Sequence, residues 1–241
     1  MEEWCVGFND REVSICFVVF KPLVFVVDHF VEALKQFSFS TTNLGCIQSS
    51  VLKSIHGNMI IWCGIWAKRS IENTELLSEA ILKNLTKVSG MATIIDISFF
   101  EAYGGDSMDG SCVARFSKNR VISMISVAAK SGGDMNDLSY ACLAIFKSRF
   151  QKIEGVISGI CLKSQNRSTV MSLYVWNSPF YCYSWILNSD HLNSMMPYLD
   201  RFSLCIKYDV FQVVNVMDAN VADFLDLDHH EEGKRANVAV K

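Results

Sequence analysis

The sequence predicts an α+β fold in which the element order β-α-β-β-α-β occurs twice in one chain. Three observations predict it: an apolar, weakly charged composition, a pattern that recurs at a shift of about 119 residues, and strand-like and helix-like periodicities that alternate in the same order in both halves. Half of the 241 residues are apolar, 20% are charged and the mean hydropathy is +0.22, so the chain can bury a sizeable core. The shifted pattern is Cys63-x-x-Trp66-x-x-x-Ser70 against Cys182-x-x-Trp185-x-x-x-Ser189. It continues through Leu76-Leu77 against Met195-Met196, Leu85 against Leu204, and Ile94-Ile95-Asp96-Ile97 against Val213-Val214-Asn215-Val216.

In the first half, "VSICFVVF" (Val13 to Phe20) is a β-branched and aromatic run that Lys21-Pro22 closes, the signature of a buried strand. Val27, Phe30, Val31, Leu34 and Phe37 then recur at helical spacing, with Asp28, Glu32 and Lys35 opposite. "LGCIQSSVLKSI" and "GNMIIWCGIW" read as two strands joined at the turn-forming His56-Gly57-Asn58. Leu76, Leu77, Ala80, Ile81 and Leu85 give a second helix, and "MATIIDISFF" a fourth strand. The second half repeats the order. It has "VISMISVAA", a helix from near Asp134 carrying Leu138, Cys142, Ile145 and Phe146, "VISGICLK", "TVMSLYVW" running on into "FYCYSWIL", a helix over 189–202 bent at Pro197, and "YDVFQVVNV".

Two ferredoxin-like modules therefore occupy 1–104 and 115–218, joined by a Gly/Ser/Asp linker at 105–114 and followed by a charged, disordered tail at 219–241. Side chains alternate along a strand, so Trp62, Gly64 and Trp66 share one face while Cys63 and Ile65 share the other, and both faces are apolar. A strand wet on one side would alternate with polar residues. The expectation is that the two sheets pack face to face as an α+β barrel-like pair, a pseudo-dimer within a monomer. Tyr181, Tyr183 and Trp185 then form the face opposite Trp62, Gly64 and Trp66. Either the Tyr183 ring fills the gap at Gly64, or the six residues line a slot for a flat ligand.

The chemical constellations are sparse. Nine cysteines stand singly, with no C-x-x-C pair, which fits small buried hydrophobes in a reducing compartment better than zinc or redox chemistry. Cys63 lies within a strand with no adjacent base, so no catalytic residue is assigned. The histidines are scattered, "DLDHHEE" offers no shaped metal site, and neither a metal nor a cofactor is expected. Gly132-Gly133 precedes a helix start but is a weak anion signal, because Asp134 and Asp137 serve more simply as caps. A net charge of −3 without a basic stripe argues against nucleic acid, and "NMIIWCGIWA" lacks the basic-glycine-aromatic signature of RNA-recognition modules. The apolar run Val13 to Val27 is interrupted and too short for a bilayer, and the acidic N-terminus is unlike a secretory signal, which points to cytoplasm or nucleus.

Three stretches, "LGCIQSSVLKSIHGNMIIW", "LSYACLAIFKSRF" and "YSWILNSD", resemble an uncharacterised family of land-plant proteins. The resemblance implies a plant intracellular protein and no activity. The inferred architecture is also similar to that of dimeric α+β-barrel proteins, some of which are cofactor-independent oxygenases or heme-handling enzymes. With large apolar faces and no cluster of titratable groups, the leading expectation is a non-enzymatic protein that binds a protein partner or a regulatory ligand. The alternative is a small-molecule enzyme or ligand-binding protein with its site in the cleft between the modules.

Overall fold

The computed structural model describes residues 3–129, 135–187 and 204–218. The first half comprises β1 (Glu3–Gly7), β2 (Val13–Pro22), α1 (Val27–Thr42), β3 (Cys46–Ser54), β4 (Ile60–Ala67), α2 (Ile71–Leu85) and β5 (Ala92–Ser107). The second comprises β6 (Val113–Ser117), β7 (Val121–Ala129), α3 (Met135–Phe150), β8 (Val156–Ser164), β9 (Thr169–Trp176), α4 (Pro179–Leu187) and β10 (Leu204–Asp218). The fold is α+β. Eight antiparallel strands close a barrel in the order β10-β3-β4-β2-β5-β8-β9-β7, and the four helices lie outside it.

The doubly apolar strands are explained by this closure, which differs from the face-to-face packing expected. The halves meet edge to edge, β5 pairing with β8 and β10 pairing with β3, so one continuous sheet surrounds a bore. Stacked sheets would leave the N–H and C=O rows of four edge strands unpaired, and closing the barrel satisfies them all. One face of each strand fills the bore, as Ile15, Phe17, Ile61, Cys63 and Ile65 do in the first half. The other face packs under helices. Cys16, Val18, Trp62 and Trp66 lie against Phe30, Leu34 and Phe37 of α1 and Leu77 and Ile81 of α2. On the far side, Val121, Cys161, Tyr174 and Trp176 lie against Leu138, Cys142 and Phe146 of α3 and Cys182 of α4.

The N-terminal stretch, in which the sequence showed no element, forms β1 and pairs with β6 as a two-stranded ribbon. Trp4, Val6, Ala114 and Phe116 of this ribbon join the bore cluster, and the Trp4 and Phe116 rings sit 4.4 Å apart. The expected linker at 105–114 instead joins the barrel to this ribbon. It ends β5, turns at Gly110 with φ +74° and starts β6.

Two further expectations change. "FYCYSWIL" is not a continuation of the preceding strand, because Pro179 opens α4 at the position where a missing N–H costs no helical bond. The shift of 119 then aligns β4 with a helix, whereas Val13 to Val121 and Ile71 to Pro179, each 108 apart, relate strand to strand and helix to helix. The identities at Cys63/Cys182 and Trp66/Trp185 do not carry a duplication. The helix expected over 189–202 with Pro197, the Gly132-Gly133 turn, His191, and the tail at 219–241 with His229-His230 lie outside the described residues.

Candidate functional site

Alternation along β4 brings Trp62, Gly64 and Trp66 to one face as expected, but that face is sealed by α1 and α2. Both tryptophans are 0% exposed, their ring centroids are 5.6 Å apart, and Trp62 also packs on Phe37 at 4.9 Å. Trp62 Nε1 donates to Ser38 Oγ of α1 at 2.9 Å. The gap over Gly64 is filled by these rings and not by Tyr183. A Cβ placed there would lie 2.5 Å from Trp62 Cη2 and 2.6 Å from Trp66 Cη2 and Cζ3. Tyr181, Tyr183 and Trp185 belong to α4. Trp185 packs on Tyr174 and Trp176, both at 5.3 Å, and Tyr183 Oη hydrogen-bonds His56 Nε2 at 2.7 Å. The six residues therefore fall into two separate clusters rather than one slot.

No thiol is activated in these layers. Burial pushes Cys63 and Cys16 well above the ordinary thiol value, Cys46 and Cys142 to about 11, and Cys161 and Cys182 to about 12. Among the described residues there is no group of three or more His, Cys, Asp or Glu placed to hold a metal, and no helix is long and apolar enough to cross a membrane.

An open concavity lies elsewhere, at the β5–β8 seam where the halves join. A cavity of about 510 Å³ runs from the start of α2 (Ile71, Thr74, Ser78) across β5 to the end of β8. Alternation along β5 directs Ile97, Phe99 and Glu101 toward it while Phe100 and Ala102 enter the bore. Register places Glu101 directly opposite Lys163, and their ion pair is 3.2 Å long. Lys68, from the β4–α2 connection, reaches the other oxygen of Glu101 at 3.1 Å. Burial alone would raise the Glu101 pKa, but the two ammonium groups outweigh it and hold the carboxyl below its ordinary value, so it is ionised at neutral pH. Arg69 is fixed by donating to the Leu44 carbonyl at 2.8 Å. Gln165 anchors the β8–β9 turn, its N–H donating to the Phe99 carbonyl at 2.9 Å and its Nε2 to Ser14 Oγ at 3.1 Å.

This arrangement combines an apolar floor of Ile97 and Phe99 with a rim of three cations, Lys68, Arg69 and Lys163, against two carboxylates, Glu75 and Glu101. Its volume falls within the range of small-molecule pockets, about 300–1,000 Å³. The cavity suits a ligand with a flat apolar part and an acidic or hydrogen-bonding group. Sequence reasoning noted Lys68-Arg69 at the end of the opening tryptophan segment but not the site. The missing information is the pairing that sets Glu101 beside Lys163.

Residues 98–211, from β5 into β10, match the family model of a domain of unknown function, DUF7392, which agrees with membership of an uncharacterised family. No curated protein matches the chain in sequence. Among solved structures, an anthrone oxidase-like protein superposes with a TM-score of 0.72 at 14% identity, covering 90% of this chain and 97% of that one. A candidate monooxygenase of Fusobacterium nucleatum gives a TM-score of 0.57 at 9% identity, over 87% of this chain and 95% of that one. Another, of Lactobacillus acidophilus, gives 0.55 at 8% identity, over 87% and 97%. At these identities the likeness shows the fold alone.

The leading expectation of a non-enzymatic, partner-binding protein is corrected here. Its premise was unused apolar surface, and those faces are taken up by the bore and by the chain's own helices. The fold is one carried by proteins described as oxidase-like or as monooxygenases, and the cavity has the size of a small molecule.

Proposed function

We propose that this chain is a small-molecule enzyme or ligand-binding protein whose site is the cleft at the β5–β8 seam. The observation that carries this reading is the cavity of about 510 Å³ in which Phe99 and Ile97 lie beside the Lys68–Glu101–Lys163 ion network. The flat part of the ligand rests on Phe99, its acidic group meets the cationic rim, and the ionised Glu101 accepts hydrogen bonds and orients the two lysines. The two halves, with strand orders β5-β2-β4-β3 and β10-β7-β9-β8, are ferredoxin-like modules that form a pseudo-dimer in one chain. The protein belongs with the uncharacterised land-plant proteins it resembles and acts inside the cell.

Filling the cleft tests the reading. Ser78 lines it from α2 without belonging to the core, so Ser78→Phe occupies the space while leaving the packing intact. In ligand-observed NMR against a panel of aromatic acids from benzoate to naphthoate, binders of the wild-type protein are expected to lose binding to Ser78→Phe, with the melting temperature unchanged. Binding that is equal in both proteins, or absent from the wild type across the panel, overturns the proposal.

A further inference from the structure

The two ends of the barrel bore differ in chemistry. The end reached by the later part of β5 is closed by the ribbon, with Trp4 and Phe116 inside. Toward the other end, where β5 passes through Asp96 and Ser98, the bore opens into a recess of about 150 Å³. Its polar lining includes Asp96, Ser98, Ser126, Arg167, Thr169 and Lys207. β5 alternates here, with Asp96, Ser98 and Phe100 facing this recess and Ile97, Phe99 and Glu101 facing the cleft on the opposite side of the strand. The recess and the cleft therefore open on opposite sides of β5, and only Ser164, at the end of β8, borders both.

Its charges do not cancel. Both oxygens of Asp96 are engaged within the protein, Oδ1 by Arg167 Nη2 at 2.6 Å and Oδ2 by the Ser98 hydroxyl at 2.7 Å. One guanidinium nitrogen thus meets Asp96, which leaves the remaining N–H donors of the Arg167 fork for another acceptor. Lys207, exposed on β10, forms no ion pair among the described residues and leaves one positive charge over. Ser126 lies directly opposite Lys207 in the β7–β10 ladder, and Thr169 opposite Ala128 in the β7–β9 ladder. The hydroxyls of Ser126 and Thr169 have no hydrogen-bond partner among the described residues. The space equals about five water volumes. It is enough for one tetrahedral oxyanion with a water or two, and too little for a nucleoside.

We propose that the open end of the barrel is a second ligand site, for a phosphate group, free or at the end of an ester. Arg167 and Lys207 supply the charge, and the Ser126 and Thr169 hydroxyls donate to the remaining oxygens, a set of donors that matches an acceptor-only anion.

Titration calorimetry of the full chain with inorganic phosphate and with methyl phosphate, in low-salt chloride buffer near neutral pH, tests it. Saturable binding to one site is expected, weakened about tenfold or more by Arg167→Gln and by Lys207→Gln and unchanged by Lys152→Gln, an exposed lysine between α3 and β8 that lines neither the recess nor the cleft. Removing Arg167 also releases Asp96 and so perturbs more than the anion site, whereas Lys207→Gln breaks no ion pair among the described residues and is the decisive variant, checked by an unchanged thermal melt. Preference for free phosphate marks an anion site, and equal binding of methyl phosphate marks a site for the end of an ester. Either sustains the proposal. Absence of saturable heat in the wild type, binding that survives Lys207→Gln intact, or binding lost with Lys152→Gln overturns it.

Discussion

Adding a single methyl group at Gly64 probes how the β4 face is filled. Its φ lies outside the left-handed region, so alanine meets no backbone penalty and the effect is one of space. The new Cβ would stand 2.5–2.6 Å from three indole carbons of Trp62 and Trp66, where ordinary contact between carbons is about 3.5–4.0 Å. The rings would have to retreat by about 1 Å. They have little freedom to do so, because Trp62 is tied to Ser38, packed on Phe37 and fully buried with Trp66. Overpacking of this kind costs about 1–3 kcal/mol, and the lost flexibility of the unfolded chain returns about 0.4–1 kcal/mol. A net destabilisation of about 1–2 kcal/mol is expected for Gly64→Ala. At about 2–4 °C per kcal/mol for a chain of this length, the melting temperature falls by about 2–8 °C. Circular dichroism melts, with urea midpoints alongside, measure it. Gly90→Ala is the control, since a Cβ there meets nothing within 4 Å and no fall is expected. A Gly64→Ala protein that melts at or above the wild type would show that the tryptophans leave room over the glycine, and the reading of this face as closed core would fail.

Two further outcomes follow from the titrating groups. The Glu101 carboxyl is held below its ordinary value of 4.5, so its stabilising contribution is in place above that pH and is lost as pH falls through the lowered folded value. Urea midpoints from about pH 7 to about pH 3 should decline less steeply below about pH 4.5 in Glu101→Gln than in the wild type, and parallel limbs would refute the role given to Lys68 and Lys163. Of the eight cysteines whose side chains are described only Cys112 is exposed, while burial raises the thiols of Cys16, Cys63, Cys142, Cys161 and Cys182. Mass-spectrometric mapping after brief native alkylation near neutral pH should therefore find Cys112 modified first, and early labelling of Cys63 would contradict its place in the bore.

The sequence by itself determined the order of elements, because that order is written in local periodicity. The apolar stripe of Phe30, Leu34 and Phe37 makes α1, the stripe of Leu77, Ile81 and Leu85 makes α2, and the unbroken apolar run of β4 requires cover on both faces. It did not determine what supplies that cover. β1 and β6 are five residues each, too short to signal, and they exist because their ladder and the burial of Trp4 and Phe116 stabilise them together. "FYCYSWIL" has strand-like composition, and Pro179 together with packing of Cys182 and Trp185 on the barrel makes it a helix. Both candidate sites depend still more on tertiary structure. Glu101 meets Lys163 only through the β5–β8 register, and Lys207 meets Ser126 only through the β7–β10 register. A strand's own sequence states which residues share a face, whereas the strand that lies beside it is chosen by closing the whole barrel so that no edge is left unpaired.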